Sequence, residues 1–272
     1  MSTACRVPVS ILIPIKNEAS NLPRCLAAVA WADEIFVVDS QSTDGSQEIA
    51  ERHGAKVVQF EFNGTWPKKK NWALENIPFR HEWVFILDAD EVMPPEAEAE
   101  FRAIVTDANH AVAGYWINRR FMFMGKWLRH AYYPNWNLRL FKHRLGRHEK
   151  LTDVDTQSGD NEVHEHVVVQ GETGRLRCEM DHHAFPSVAV FVEKHNRYSN
   201  WEARVALDAT CTAARSICKR ATSASGESSS SGRRCCPSAA SSGSSTCTSC
   251  RADSSTDARD FISRGSMRST NS

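Results

Sequence analysis

The chain has 272 residues, with 33 basic and 33 acidic side chains, so its formal net charge is zero. This length suits one large domain or two small ones, and the balanced charge argues against a basic surface for nucleic acid. The sequence has no apolar run of the roughly 18 residues that a membrane-spanning helix needs. Only Cys5, Cys25 and Cys178 precede residue 209, which suits a reducing cytoplasm and indicates no disulfide framework.

Apolar runs alternate with amphipathic stretches through the first 105 residues. We predict strands at 9–15, 34–40, 56–62 and 82–88, and helices at 22–29, 46–54, 67–77 and 94–105. The first apolar run reaches Lys16 and Glu18 without a small-residue cleavage site, so it is interpreted as a strand and not as a signal peptide. The alternation predicts a mostly parallel sheet covered on both faces.

Acidic side chains follow these predicted strands. They are Glu18, Asp39, Asp44, Asp88 and Asp90. Ligands of such sheets bind at the carboxyl ends of the strands. We therefore expect these acids to converge on one edge of the sheet.

The stretch VFILDADEVMPP, residues 84–95, carries a strand directly into Asp88, Asp90 and Glu91. Carboxylates at the edge of an apolar core are costly without a cation or hydrogen bonds. We therefore predict a positive partner from outside the chain, and the Asp-x-Asp spacing suits a hard divalent cation. Two alternatives stay open on this pattern: the acids cap the next helix, or Asp88 is the nucleophile of a haloacid-dehalogenase-like phosphatase. The phosphatase interpretation is weaker because the motif follows the fourth strand.

Beyond Gly114 the pattern becomes strand-like and aromatic, and it ends in a long amphipathic helix at 186–207. Seven aromatic residues lie close together: Trp116, Phe121, Phe123, Trp127, Tyr132, Tyr133 and Trp136. Because most aromatic side chains belong to cores, we expect about two of them to line a cleft for a second substrate. This predicts a nucleotide-type half at 7–110 and a second-substrate half at 111–207.

The composition changes abruptly near Asp208. Residues 209–272 contain 19 serines and six cysteines, and no Leu, Val, Tyr, Trp or His. Such a segment cannot bury enough apolar surface to offset its ordering entropy, which predicts a Ser/Cys-rich disordered tail at 208–272. Its serine, cysteine and threonine codons, shifted by one base, can encode an apolar and aromatic peptide. We hypothesise a frameshift from about Ala209; early stop codons in the alternative frame of the coding DNA would reject it.

Four segments occur in order: ILIPIKNEASNLPRCL, IFVVDSQSTDGSQEIA, KKKNWALE and WVFILDADEVMPPE. Together they resemble family 2 glycosyltransferases with the GT-A fold, and more narrowly the bacterial lipopolysaccharide-core sugar transferases. The resemblance runs from about residue 7 to 207. It implies an α/β GT-A fold: a mostly parallel, Rossmann-like sheet flanked by helices, with an acceptor-side strand and helix portion.

The resemblance also implies a chemistry. Family members transfer a sugar from a nucleoside-diphosphate sugar, usually with Mg²⁺ or Mn²⁺, and invert the anomeric centre. For this chain it implies a UDP-sugar as the expected donor, a glycan or glycolipid as the acceptor, and a place in cell-envelope or polysaccharide biosynthesis. The expected location is the cytoplasm, with peripheral contact to the inner membrane and no nucleic-acid partner.

Roles in donor binding follow from the resemblance. The implied donor-binding residues are Glu18, Asp39, Asp44, Lys70, Asn71 and Asp88. Glu18 and Asp39 would contact the nucleoside, Asp44 would support their loop, and Asp88 would face the donor sugar or ribose. Asp90 would be the metal ligand that bridges to the diphosphate, where a cation offsets the charge of the leaving group.

The second half would supply the base that inverting transfer needs. VHE at 163–165 matches the family's base segment, so Glu165 is the expected catalytic base; the alternative is an exposed strand acid. His182 precedes a helix with the K-x-N-R-Y pattern at 194–198, as in the family, and would bind the metal or the diphosphate. Zinc is less well indicated by HEH and DHH, because no cysteines with a repeated spacing lie nearby.

The sequence also bears on other enzyme classes and on a non-enzyme function. The sequence has no G-x-x-x-x-G-K-S/T loop and no strand-linked G-x-G-x-x-G, which argues against a P-loop nucleotidase or a dinucleotide oxidoreductase. An Asp-x-Asp phosphatase or nucleotidyltransferase stays open as an enzyme alternative. A catalytically impaired nucleotide-sugar-binding protein is the non-enzyme alternative, favoured by the unusual tail.

Overall fold

The computed structural model describes residues 5–107, 111–150 and 166–224, with side chains as far as residue 207. The chain divides into two units, Met1–Ala221 and Thr222–Ser272. In the second unit only Thr222–Ala224, the last residues of a helix, are described. The sheet and the site below belong to the first unit.

The described part of the chain contains eleven strands and five helices. The strands are β1 (Val7–Ile15), β2 (Ala32–Asp39), β3 (Lys56–Gln59), β4 (Trp83–Ile86), β5 (Glu91–Val92), β6 (Gly114–Phe123), β7 (Lys126–Trp127), β8 (Trp136–Lys142), β9 (Gly146–His148), β10 (Val167–Val169) and β11 (Thr173–Phe185). The helices are α1 (Leu22–Ala28), α2 (Ser46–Arg52), α3 (Lys69–Asn76), α4 (Ala97–Val105) and α5 (Val188–Ala224). The predicted alternation of strands and helices through residue 105 is therefore confirmed.

The first half of the large sheet is parallel, in the order β3-β2-β1-β4. Strand β1 is almost continuously apolar because both of its faces are buried. Ile11 and Ile13 point into one core cluster, while Leu12 points into a second cluster on the opposite face. The carboxyl ends of β1, β2 and β4 consequently lie along one edge, as the sequence predicts.

The second half makes the sheet mixed. The order continues from β4 through β8, β6 and β11 to β5, with β7 paired to β6. Strands β4, β8 and β6 pair antiparallel, and only β6 and β11 are parallel in this half. A two-residue turn joins β6 to β7, with Met124 at φ 49° and Gly125 at φ 77°, a pair of positive φ values that favours an antiparallel hairpin. The α/β class is confirmed, but the parallel pairing is concentrated in the first half.

Strand β5 connects the Asp88–Glu91 segment, which follows β4, to β11 in the second half of the sheet. It pairs antiparallel with β11, so that Glu91 lies opposite His182. The backbone N–H of His183 also donates to the carbonyl oxygen of Asp90 at 2.8 Å. This pairing fixes Asp90 beside β11.

Helix α5 crosses the domain boundary that composition predicts at residue 207 and continues to Ala224. Residues 209–224 are rich in Ala, Arg and Lys and contain neither Gly nor Pro, which suits a helix. The remainder of the predicted tail, residues 225–272, lies outside the described residues, so the disorder and the frameshift stay predictions. No helix within the described ranges combines the length and apolarity needed to cross a membrane.

Candidate functional site

The loops that follow β1 and β2 are joined by hydrogen bonds at the carboxyl edge of the sheet. The backbone N–H of Glu18 donates to Ser46 Oγ at 2.9 Å, and that of Ala19 donates to Asp44 Oδ2 at 3.0 Å. Asp44 Oδ1 also accepts from the backbone N–H of Ser46 at 3.1 Å. Asp44 therefore holds the two loops together.

Asp39, at the end of β2, is buried and its carboxylate binds its own loop. The backbone N–H of Ser42 donates to Oδ1 at 3.1 Å, and Gln59 Nε2 donates to Oδ2 at 3.0 Å. These bonds satisfy a carboxylate that would otherwise be costly to bury. The predicted contact of Asp39 with a nucleoside stays a prediction.

Asp88, just past β4, is held between two cations of the chain itself. Its Oδ1 lies 3.1 Å from Lys70 Nζ, and its Oδ2 accepts from Arg139 Nη2 at 2.7 Å. Burial alone would raise the pKa of Asp88, but the charges of Arg139 and Lys70 outweigh it and hold the pKa well below the ordinary value. The carboxylate is therefore ionised and fixed in direction.

Glu91 is completely buried and extends this network. Its Oε1 accepts from Arg139 Nη2 at 3.0 Å and from Arg119 Nη1 at 3.3 Å, and its Oε2 accepts from the backbone N–H of Asp88 at 2.9 Å. The expectation that the positive partner must come from outside the chain is thus wrong for Asp88 and Glu91. The sequence predicted Lys70 as a site residue but missed the two arginines, because they come from strands far along the chain; an arginine inside the apolar run NLRLF of β8 is nevertheless itself a signal of a buried ion pair.

Asp90 lies between a histidine and a lysine of the second half. Its Oδ1 is 3.4 Å from His182 Nε2, and its Oδ2 is 3.5 Å from Lys194 Nζ of α5. Burial would raise the pKa of Asp90, but His182 and then Lys194 outweigh it and hold the pKa far below the ordinary value. The structure therefore brings the two predicted metal ligands, Asp90 and His182, together.

The spacing of these two groups fits one shared cation. Two ligand atoms at about 2.1 Å from a cation in octahedral geometry lie roughly 3 Å apart, close to the 3.4 Å between Asp90 Oδ1 and His182 Nε2. Within the described ranges, no group of three His, Cys, Asp or Glu side chains could hold a metal. A cation here would need its other ligands from a substrate or from water.

Glu18 completes the acidic edge. It is half-buried, and its Oε2 accepts from Asn21 Nδ2 at 2.9 Å. Burial raises the pKa of Glu18 above the ordinary value; the bond from Asn21 opposes this and the charges of Asp90 and Asp88 add to it. Glu18 follows β1, and Asp88 follows the neighbouring parallel strand β4, so both lie at the same carboxyl edge of the sheet.

Helix α3 carries two predicted donor residues that face different ways. Lys70 points to Asp88, at the acidic edge. Asn71 is buried and exchanges two hydrogen bonds with the backbone of His148, at 2.8 and 2.9 Å. Asn71 thus connects α3 to β9, and its amide is not directed at the carboxylates.

The predicted base, Glu165 in the VHE segment, lies outside the described residues.

Aromatic side chains of the predicted cluster lie next to His182. Phe121 contacts the His182 ring at 4.7 Å between centroids and the Tyr132 ring at 5.1 Å. Tyr132 is 49% exposed and Tyr133 37%. Of the seven aromatic residues of the predicted cluster these two are the most exposed, and the lining of a cleft for a second substrate stays a prediction.

This chain is similar to known glycosyltransferases. The family model described as Glycosyl transferase family 2 matches residues 10–163. The chain is 28% identical over 216 residues to the lipopolysaccharide core biosynthesis glycosyltransferase LpsC of Rhizobium meliloti, covering 73% of this chain and 71% of that protein. It is 29% identical over 208 residues to an uncharacterized glycosyltransferase of Rickettsia conorii, covering 75% and 72%.

Other similarities are shorter. A TPR repeat-containing protein of Synechococcus elongatus is 35% identical over 101 residues, and the match spans 37% of this chain and only 25% of that protein. Among solved structures, Staphylococcus aureus TarS aligns with 27% identity and a TM-score of 0.35, over 42% of this chain and 22% of that one. The mannosyltransferase PcManGT of Pyrobaculum calidifontis, in complex with GDP-Man and Mn²⁺, gives 26% identity and a TM-score of 0.34, over 42% and 36%.

Proposed function

The chain belongs to glycosyl transferase family 2, and from this premise we propose that it transfers a sugar from a nucleoside-diphosphate sugar, with a UDP-sugar as the expected donor, to a glycan or glycolipid acceptor. The family assignment supports glycosyl transfer and agrees with the expected GT-A fold. The names of the Rhizobium and Rickettsia relatives support the same role. We further propose that the acceptor belongs to lipopolysaccharide or a related cell-envelope polysaccharide, and that the protein works at the cytoplasmic face of the membrane.

One observation carries the proposal: Asp90 and His182 approach each other at the carboxyl edge of the parallel strands, beside Asp88. We propose that these two side chains hold a Mg²⁺ or Mn²⁺ ion whose remaining ligands include the donor diphosphate. Such an ion, when bound, offsets the negative charge of the leaving nucleoside diphosphate.

The chain's own residues would position the donor. The loop pair held by Asp44 places Glu18 and Asp39 at the edge where the nucleoside would bind. Asp88, fixed by Lys70 and Arg139, presents an ionised carboxylate toward the hydroxyl groups of the donor sugar or ribose. Rigidly placed side chains of this kind hold a bound substrate with its reacting atoms in the orientation that the reaction needs.

The proposed reaction is a single displacement. The acceptor oxygen forms a bond to the anomeric carbon, while the bond from that carbon to the diphosphate oxygen breaks and its electron pair goes to the diphosphate. The proton of the acceptor hydroxyl passes to a general base, for which we propose Glu165. Attack opposite to the leaving group inverts the anomeric centre.

The assignment is tested by adding purified protein, Mn²⁺ and a panel of nucleotide sugars to lipopolysaccharide-core and other glycan acceptors. We expect transfer with at least one donor, loss of transfer on chelation, and a fall of about 100-fold or more in Asp90→Asn, the size expected when charge stabilisation at a leaving group is lost. Asp33→Asn is the control, because Asp33 pairs with Arg80 and His81 on another part of the surface.

Three outcomes would contradict the proposal. Hydrolysis of simple phosphate esters without any nucleotide-sugar activity would favour the phosphatase alternative. Tight nucleotide-sugar binding without turnover would favour a binding protein. Full activity of Asp90→Asn would remove Asp90 from the site.

A further inference from the structure

Lys194 is an anchored side chain of α5 at the acidic edge. Its Nζ is 3.5 Å from Asp90 Oδ2 and donates to the carbonyl oxygen of Ala184 at 3.2 Å. The same ammonium lies 5.9 Å from the centroid of the Phe185 ring, within cation–π range. Three contacts therefore hold it at Asp90, and its side chain is only 27% exposed.

The two oxygens of Asp90 face different partners. Oδ1 faces His182, the other proposed metal ligand, while Oδ2 is taken by Lys194. A divalent cation bound by Asp90 and His182 would therefore lie within a few Å of a positive charge. A divalent cation about 4 Å from an ammonium is repelled enough to weaken binding by roughly 30-fold even in water of low ionic strength, and more in a partly buried site.

We propose that Lys194 is a resident counter-cation of Asp90 that an incoming divalent cation must displace, so that this lysine sets the metal affinity of the donor site. The inference rests on the proposed function, because it takes Asp90 and His182 as the metal ligands. A free cation must separate Lys194 from Asp90 and brings no negative charge with which the displaced ammonium could pair. A cation that arrives with a nucleoside diphosphate also brings negative charge with which the released ammonium can pair, so the site favours the complex over the free ion.

The inference is tested by titrating the full chain with Mn²⁺ and following the free ion by its solution EPR signal. In the absence of nucleotide and at low ionic strength, Lys194→Met should bind Mn²⁺ roughly 30-fold more tightly than the wild type, whereas Lys194→Arg, which keeps the charge, should bind like the wild type. With saturating Mn²⁺, Lys194→Met should bind UDP no more tightly than the wild type.

Arg197→Met is the matched control, because Arg197 lies on the same helix, is 65% exposed and pairs with Glu193 at 3.9 Å. It removes one positive charge without touching Asp90 and should leave Mn²⁺ affinity unchanged. If Lys194→Met loses its cooperative thermal transition, Lys194→Gln is measured in its place.

The outcomes separate this inference from the proposed function. Mn²⁺ binding that Asp90→Ala abolishes and Lys194→Met leaves unchanged or weakens would overturn the role of Lys194 alone. Equal tightening of free Mn²⁺ and of UDP would also overturn it, since a displaced lysine should pair with the diphosphate. Absence of Mn²⁺ binding from the wild type and every variant would overturn the metal assignment and this inference together.

Discussion

The two halves of the sheet bring opposite charges to the same edge. The first half contributes Asp88 and Asp90 at the end of β4, while the second half contributes Arg139 from β8, His182 from β11 and Lys194 from α5. Isolated buried charges are costly, and partners that complete their hydrogen bonds reduce this cost. The site therefore depends on the packing of the two halves, and neither half could form it alone.

The largest expected effect comes from removing the cation that joins the halves most directly. Arg139→Met should lower the free energy of unfolding by roughly 3–5 kcal/mol, because it leaves Asp88 and the fully buried Glu91 short of a partner. Urea denaturation measures this loss. Arg102→Met, which breaks a partly exposed pair with Glu98 within α4, should cost less than about 1 kcal/mol. Equal losses in the two variants would show that the halves are not held by this pair.

A second variant removes the negative charge of Glu91, which loses its pairing with Arg139 in the first variant. In the wild type, Glu91→Gln should be destabilising, because Arg119 and Arg139 lose their shared acceptor. In the Arg139→Met background the same change should be less destabilising or stabilising, with a coupling energy of about 0.5–3 kcal/mol, the usual size for contacting residues. A double-mutant cycle from urea denaturation measures the coupling. Additive effects would mean that the two side chains act independently.

The carboxylates and Lys70 could be predicted as site residues from the sequence, whereas the pairing of Arg139 and Lys194 with the carboxylates could not, for a physical reason. Asp88 and Asp90 follow a continuous apolar run, a local pattern that marks the end of a buried parallel strand. Arg139 is 51 residues from Asp88 in sequence, and Lys194 is 104 residues from Asp90. Only the order and register of the strands bring them together, and antiparallel pairing of β8 with β4 is not visible in the local pattern.

Asn71 is a second residue whose contacts could not be predicted from the local sequence. Its neighbour Lys70 reaches Asp88, and both residues lie in a segment that resembles the donor-binding region of the family. Successive residues of a helix point about 100° apart, so one side chain faces the acidic edge while the other meets the backbone of His148. Proximity in sequence predicted the right helix but not the face that each side chain occupies.

Glu18 is a carboxylate of the acidic edge for which the described part of the second half supplies no direct ion pair, and it gives the smallest expected effect. Burial is the main cause that raises its pKa above the ordinary value of 4.5, so the folded state favours the protonated form. Between 4.5 and the raised pKa the folded state binds more protons than the unfolded state, and stability falls as the pH rises. The ionised form then carries a constant penalty at neutral pH.

Glu18→Gln imitates the protonated side chain and should remove this penalty. The variant should melt at the same temperature as the wild type near pH 4, and at a higher temperature at pH 7, with the difference growing as the pH passes upward through 4.5. Parallel thermal melts across this range measure it, with the exposed Glu61→Gln as the control. If nucleotide binding weakens while stability rises, Glu18 retains an unfavourable charge because the donor requires it. A lower melting temperature for Glu18→Gln at pH 7 would mean instead that a cation compensates Glu18 as fully as Arg139 compensates Asp88.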